Sequence, residues 1–183
     1  MLTCRLANRI WKAASFRHWH RFQRAQRDPR RAQRDWLMRF LRCNAGSEYG
    51  QRYSYGHITS IQEFQDRVPL VTYDELQPWV NQIVAGRQGV LTSEPVLFFE
   101  KTSGSSHEAK YIPYTASLKR EFQRAVGAWI YDLFRHRPSL LDGPHYWSIS
   151  PISRERETTP GGLPVGIEDD AEYLGRWERC VMN

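Results

Sequence analysis

Val96-Leu97-Phe98-Phe99-Glu100, Lys101-Thr102-Ser103-Gly104-Ser105-Ser106-His107-Glu108-Ala109-Lys110 and Tyr111-Ile112-Pro113-Tyr114-Thr115 follow one another without a break. The first and last pieces are apolar and aromatic runs of strand character. Between them lies a loop of small hydroxyl residues around one glycine, closed by a lysine. That mixture suits a phosphate group. Hydroxyls and backbone N–H groups can point at its oxygens, glycine allows close approach, and lysine supplies the opposite charge. An ordinary Ser/Thr/Gly connection between two strands has the same composition, and both readings stand at this level. The loop is not of the Walker type, which needs two glycines four residues apart and a Lys-Ser/Thr pair opening a helix. Here Lys110 opens Lys-Tyr-Ile-Pro, and Pro113 disfavours a helix.

Downstream, Thr115 can cap a long helix over about residues 116–136. Leu118, Phe122, Ala125, Val126, Trp129, Ile130, Leu133 and Phe134 form its apolar stripe, expected to pack in the core. Pro138 stops it. Tyr146–Ser150 reads as a strand, and Pro151–Asp170 as a long loop most flexible at Gly161-Gly162-Leu163-Pro164. So few strands cannot make a stable covered sheet alone, which predicts the N-terminal part of a longer protein.

Upstream, Thr72-Tyr73-Asp74-Glu75 has the capping-box pattern and opens a helix through Trp79, Ile83 and Val84, ended by Gly86. Pro78 conflicts with that helix unless it sits in the first turn or kinks it. Ser60-Ile61-Gln62-Glu63 is a second capping box, opening a short helix that Val68-Pro69 interrupts. Tyr49–His57, rich in Gly, Tyr and Ser, reads as a loop. Asp28-Pro29 starts a helix with Ala32, Trp36, Leu37, Phe40 and Leu41 on one face, and Gly46 is its expected stop. Residues 5–26 form a further helix, with Leu6, Ile10, Trp11, Ala14, Phe16 and Trp19 among arginines.

The chain has 183 residues, 40% hydrophobic and 25% charged, which is globular composition with room for one real core. No apolar run reaches the 18 residues a membrane span needs, and the first residues lack a secretory core. Cys4, Cys43 and Cys180 are odd in number and lack metal spacing, so they read as reduced thiols of a cytoplasmic protein. The net charge of +6 is uneven: residues 1–42 carry 12 of the 26 Lys and Arg but only 2 of the 20 Asp and Glu. A docked helix with a solvated arginine face, a basic helix lying on a membrane surface and an organelle leader all fit this start. The six histidines form no i, i+4 ligand set, so no metal site is assigned; His107 in the loop and Asp169-Asp170 read as solvated.

Several stretches, in order, resemble the auxin-responsive promoter family of acyl-adenylate-forming amido synthetases, in its bacterial form. These are Glu48-Tyr49-Gly50, Ile58–Phe64, Val68–Tyr73 and Ile83-Val84-Ala85-Gly86. Thr102-Ser103-Gly104-Ser105-Ser106 with Lys110 and Ile112-Pro113-Tyr114-Thr115 carry the most specific likeness. Tyr146–Pro151 and Gly166–Asp170 complete a match over roughly residues 30–174.

The resemblance implies an α/β fold: the N-terminal part of an adenylate-forming large domain of the acyl-CoA synthetase/luciferase type, helix-rich at the start and with an incomplete sheet. It implies a basic N-terminal helix over 1–27 and the N-terminal portion of the adenylating domain over 28–183, without the later motifs or the C-terminal domain. Thr102, Ser103, Gly104, Ser105, Ser106 and Lys110 take the role of binding the ATP phosphates, with Mg²⁺ bridging oxygens. A small carboxylic acid and an amine acceptor are the implied substrates, with no catalytic residue assignable here, and the isolated piece is expected to be inactive. The departures are Ser105 where many members have Thr, and His107 and Glu108 where many have Gly. Glu108 puts negative charge beside the phosphates. The alternative is a basic module for nucleic acid or an anionic surface. The helical spacing of Trp11, Phe16, Trp19 and Phe22 disfavours nucleic acid, because it predicts burial rather than base stacking.

Overall fold

The computed structural model describes residues 2–102, 110–145 and 157–166. In chain order the elements are α1 (Leu2–Arg27), α2 (Pro29–Asn44), α3 (Glu48–Arg52), a 3-10 turn at Tyr55–His57, α4 (Ile61–Arg67), α5 (Tyr73–Val84), β1 (Val96–Lys101), β2 (Tyr111–Thr115), α6 (Ala116–His136), a second 3-10 turn at Pro138–Asp142, β3 (Glu157–Thr158) and β4 (Pro164–Val165). The chain divides into two compact units. Among the described residues, 2–28 and 118–145 form one, and 29–117 with 157–166 form the other. The strand expected at Tyr146–Ser150 lies outside the described residues.

In the first unit α1 packs through Trp11 against Ile130 and Phe134 of α6, with Val126 and Leu141 at the margin. The Trp11 and Phe134 rings meet edge-on at 5.9 Å, the arrangement aromatic quadrupoles favour. His145 lies 5.3 Å from the Phe134 ring, and burial pushes its pKa down. Polar ties complete the packing. Buried Asn8 donates to the carbonyls of Leu141 and Gly143, and Lys12 donates to the carbonyl of Phe134 in the last turn of α6.

The apolar stripe of α6 is wider than its core seam. The row Val126, Ile130, Phe134 is inside, while Leu118 and Trp129 are exposed at 40% and 56%, correcting the expectation that the whole stripe is core. One helix buries only the row facing its neighbour. The α1 aromatics divide similarly: Trp11 is buried, yet Phe16 and Phe22 are exposed, so helical spacing overstated their burial. Arg5, Arg9, Arg17, Arg21, Arg24 and Arg27 are all exposed.

In the second unit, α2 starts at Pro29 as read and ends at Asn44, two residues before Gly46. Asn44 is the joint. Its carbonyl accepts from the Ser47 hydroxyl, and its side-chain oxygen accepts from the Ser93 N–H. The segment read as a loop, Tyr49–His57, is instead α3 and a 3-10 turn. Ser47 caps α3 by accepting from the Gly50 N–H at 3.0 Å. A Cβ on Gly50 would lie 2.1 Å from the Asn44 carbonyl oxygen, so only glycine fits. Tyr49 and Tyr55 are buried with Leu41 and Ile58, and this aromatic burial overrides the loop-like composition. Burial also pushes the Tyr55 phenol up to about 12.

Both capping boxes start helices. Ser60 accepts from the Glu63 N–H, while the Glu63 carboxylate reaches past Ser60 to the Thr59 N–H at 2.7 Å. At α5 the box is complete between Thr72 and Glu75. Pro78 stands inside α5. Gly86, at φ +96°, follows the end of the helix.

The sheet runs in the order β2-β1-β4-β3. β1 pairs antiparallel with β2 and parallel with β4, which turns back antiparallel to β3. The long loop expected over Pro151–Asp170 therefore contains two strands within 157–166. The stretch read as its most flexible point is docked: the Gly161 N–H donates to the Val84 carbonyl at the end of α5. A Cβ on Gly161 would meet the Gly86 nitrogen at 2.1 Å. Pairing with β1 and this glycine-to-glycine approach order a stretch that no local periodicity marks. Val96 and Phe99 of β1 are buried in one cluster with Val80, Ile83 and Val90.

Candidate phosphate-binding site

β1 and β2 are consecutive antiparallel strands, with Lys101 opposite Tyr111. The next pair outward is Thr102 and Lys110. The Thr102 N–H donates to the Lys110 carbonyl at 3.1 Å, and the Lys110 N–H donates to the Thr102 hydroxyl at 3.4 Å. The two described members of the predicted site are thus tied across the mouth of the hairpin loop. Ser103, Gly104, Ser105 and Ser106, with His107 and Glu108, lie outside the described residues.

Two clusters flank this mouth. On one side the Lys110 ammonium sits 5.1 Å from the centre of the Tyr73 ring, a cation–π contact. The Tyr73 hydroxyl accepts from the Tyr111 N–H at 2.9 Å and donates to the Tyr111 carbonyl at 3.2 Å. On the other, Lys101 pairs with the Glu157 carboxylate, which also accepts from the Tyr111 hydroxyl at 3.1 Å. The Lys101 hydrogen bond holds the Glu157 carboxyl below the usual carboxylate range, and the same bond raises Lys101.

Chemically the mouth presents a hydroxyl and two ammonium groups, one of them engaged by Glu157. Thr102 and Lys110 are exposed and on hand for an anion. This donor set fits phosphate oxygens. It does not fit a divalent cation. Among the described residues no group of three or more His, Cys, Asp or Glu side chains comes together. Tyr73, Lys101, Tyr111 and Glu157 were not singled out from sequence. Lys101 could have been, since it adjoins Thr102. Tyr73 and Glu157 stand 37 and 47 residues from Lys110, and nothing local marks them.

Comparison with known proteins places the chain in a family. Residues 18–169 match the model of the GH3 family N-terminal domain. A probable indole-3-acetic acid-amido synthetase GH3.12 of Oryza sativa subsp. japonica is 36% identical over 144 residues, 78% of this chain and 23% of that protein. A jasmonoyl–L-amino acid synthetase GH3.5 of the same organism is 32% identical over 99 residues, 53% of this chain and 17% of that protein. In three dimensions the chain is similar to the AtGH3.15 acyl acid amido synthetase in complex with 2,4-DB, at a TM-score of 0.61 and 25% identity over 70% of this chain and 22% of that one. The chain thus spans less than a quarter of the length of these relatives. With a family match over residues 18–169, most of its length, this chain belongs to the GH3 family and corresponds to its N-terminal domain.

Proposed function

We propose that this chain is the N-terminal portion of an ATP-dependent acyl-acid amido synthetase and that it supplies the phosphate grip of the adenylating domain. One observation carries the reading: Thr102 and Lys110 are hydrogen-bonded to each other at the two ends of a loop of serines and one glycine. Thr102, Ser103, Gly104, Ser105, Ser106 and Lys110 are assigned to the ATP phosphates. The proposed division is a basic N-terminal helix over 1–27 followed by the adenylating portion over 28–183. Cys4 and Cys43, both free thiols, are in keeping with a reducing cytoplasmic setting.

In this role the hydroxyls and Lys110 neutralise and orient the β- and γ-phosphates, leaving the α-phosphorus open to attack. When bound, ATP supplies its adenylyl group to a carboxylate with loss of pyrophosphate, and an amine then takes the acyl group as AMP leaves. One relative's name joins a jasmonoyl group to an L-amino acid and another's names an amido synthetase of indole-3-acetic acid, and a carboxylic acid with an amine acceptor is assigned here. Mg²⁺ belongs to this reading as the counter-ion of the triphosphate; the described residues bring together no set of three or more His, Cys, Asp or Glu side chains for it.

The test is equilibrium binding of ATP at low salt to the chain and to its Lys110→Ala and Ser103→Ala variants. Loss of one charge-assisted contact is expected to weaken binding about tenfold or more for Lys110→Ala, and less for Ser103→Ala. Unchanged affinity in both variants would show the assignment to be wrong.

A further inference from the structure

Among the described residues strand β2 lies at the edge of the sheet, and the pairing next to the loop fixes which of its backbone groups face outward. Lys110 turns its N–H and C=O toward Thr102. In an antiparallel ladder the bonded residues alternate, so Tyr111 turns its N–H and C=O away from β1, to the open edge. A second strand would ordinarily take both. Here the single hydroxyl of Tyr73, the first residue of α5, does so, accepting from one at 2.9 Å and donating to the other at 3.2 Å. The same side chain lays its ring face under the Lys110 ammonium at 5.1 Å. Tyr73 itself is set by the complete capping box of the preceding residue, Thr72, with Glu75. One residue therefore holds both the backbone beside Lys110 and the charged end of Lys110.

We infer that Tyr73 is a positioning residue for the phosphate grip. Its hydroxyl takes the two Tyr111 backbone groups that a neighbouring strand would take, and its ring holds the Lys110 ammonium. The inference rests on the assignment of Thr102 and Lys110 to phosphate. Tyr73 contacts no phosphate; it acts through Lys110. Fixing that side chain and its backbone beforehand removes an ordering cost from binding.

The experiment titrates inorganic tripolyphosphate into the 183-residue chain and follows amide exchange at Tyr111. The variants are Tyr73→Phe, Tyr73→Leu, Lys110→Ala and the double variant Tyr73→Phe/Lys110→Ala. Tyr73→Phe keeps the ring and should speed exchange at Tyr111 about tenfold, because one local hydrogen bond is lost. It should weaken tripolyphosphate about fivefold, the worth of one net hydrogen bond. Tyr73→Leu also removes the ring face and should weaken it further. In the Lys110→Ala background, Tyr73→Phe should still speed exchange but cost no further affinity, since it acts through the lost ammonium.

Three results overturn the inference. Exchange at Tyr111 could stay unchanged in Tyr73→Phe. Lys110→Ala could weaken binding while Tyr73→Phe leaves it intact. Tyr73→Phe could cost the same factor with and without Lys110, as a general loss of stability would. If Lys110→Ala leaves tripolyphosphate affinity unchanged, or the parent chain does not bind it, the phosphate assignment itself falls and the inference with it.

Discussion

The two units are held together in different ways. The first is one seam, with Trp11, Ile130 and Phe134 buried and polar ties from Asn8, Lys12 and Arg5 around it. The second is braced across the chain. Asn44 joins α2 to Ser93, the Gly161 N–H bonds the end of α5, Tyr73 clamps β2, and Glu157 reaches Lys101. A seam of side chains suffices to dock helices whose backbone bonds are internal. A hairpin mouth that must present a hydroxyl and an ammonium in register needs its backbone fixed from outside. The candidate chemistry sits in the braced unit, while the first unit carries an exposed arginine face.

The sharpest test of that contrast truncates the most deeply buried ring in each unit. Phe99 and Phe134 are both fully buried. Phe99→Ala and Phe134→Ala should each cost about 3–5 kcal/mol in denaturant unfolding. Only Phe99→Ala should also loosen amide protection at Tyr111 and Lys110, because Phe99 is in β1 and its ring meets that of Tyr111 at 5.6 Å. Equal loosening by both would mean that the bracing is not local to the second unit.

A smaller effect is expected at the brace itself. Gly161→Ala drives a methyl group onto the backbone nitrogen of Gly86, which cannot swing aside as a side chain would. The expected cost is about 1–3 kcal/mol, read as a lower unfolding midpoint together with faster amide exchange at Gly166, whose N–H bonds the Phe99 carbonyl. An unchanged midpoint would show that the β3–β4 hairpin is not part of the cooperative fold.

The smallest effect concerns Lys101 and Glu157. Glu157 is depressed in the folded chain, so its share of stability is present at neutral pH and lost as pH falls through the carboxylate range. Lys101 is raised, so its share is present below the ordinary lysine range and lost as pH rises above it. Both side chains are more than a third exposed, and screening holds the contribution below about 1 kcal/mol. Glu157→Gln should flatten the acid limb of stability against pH by that amount and leave the neutral plateau nearly unchanged in shape. An acid limb identical to that of the parent chain would remove this pair from the bracing.

Much of this was legible before any coordinates. The Thr72 and Ser60 patterns named two helix starts, Asp28-Pro29 a third, and the apolar runs at 96–100 and 111–115 named two strands, because capping chemistry and strand periodicity are local. Tyr49–His57 was misread because its helix depends on burying Tyr49 and Tyr55 against Leu41, and burial is not visible in a Gly/Tyr/Ser string. The arginine-rich composition of α1 and the family likeness also came from sequence alone. Only the tertiary structure decided which row of α6 is core, that residues 157–166 supply two strands, and that Tyr73 and Glu157 stand at the loop mouth. Those outcomes depend on groups tens of residues apart meeting at hydrogen-bond distance, and a one-dimensional pattern records neither the meeting nor its geometry.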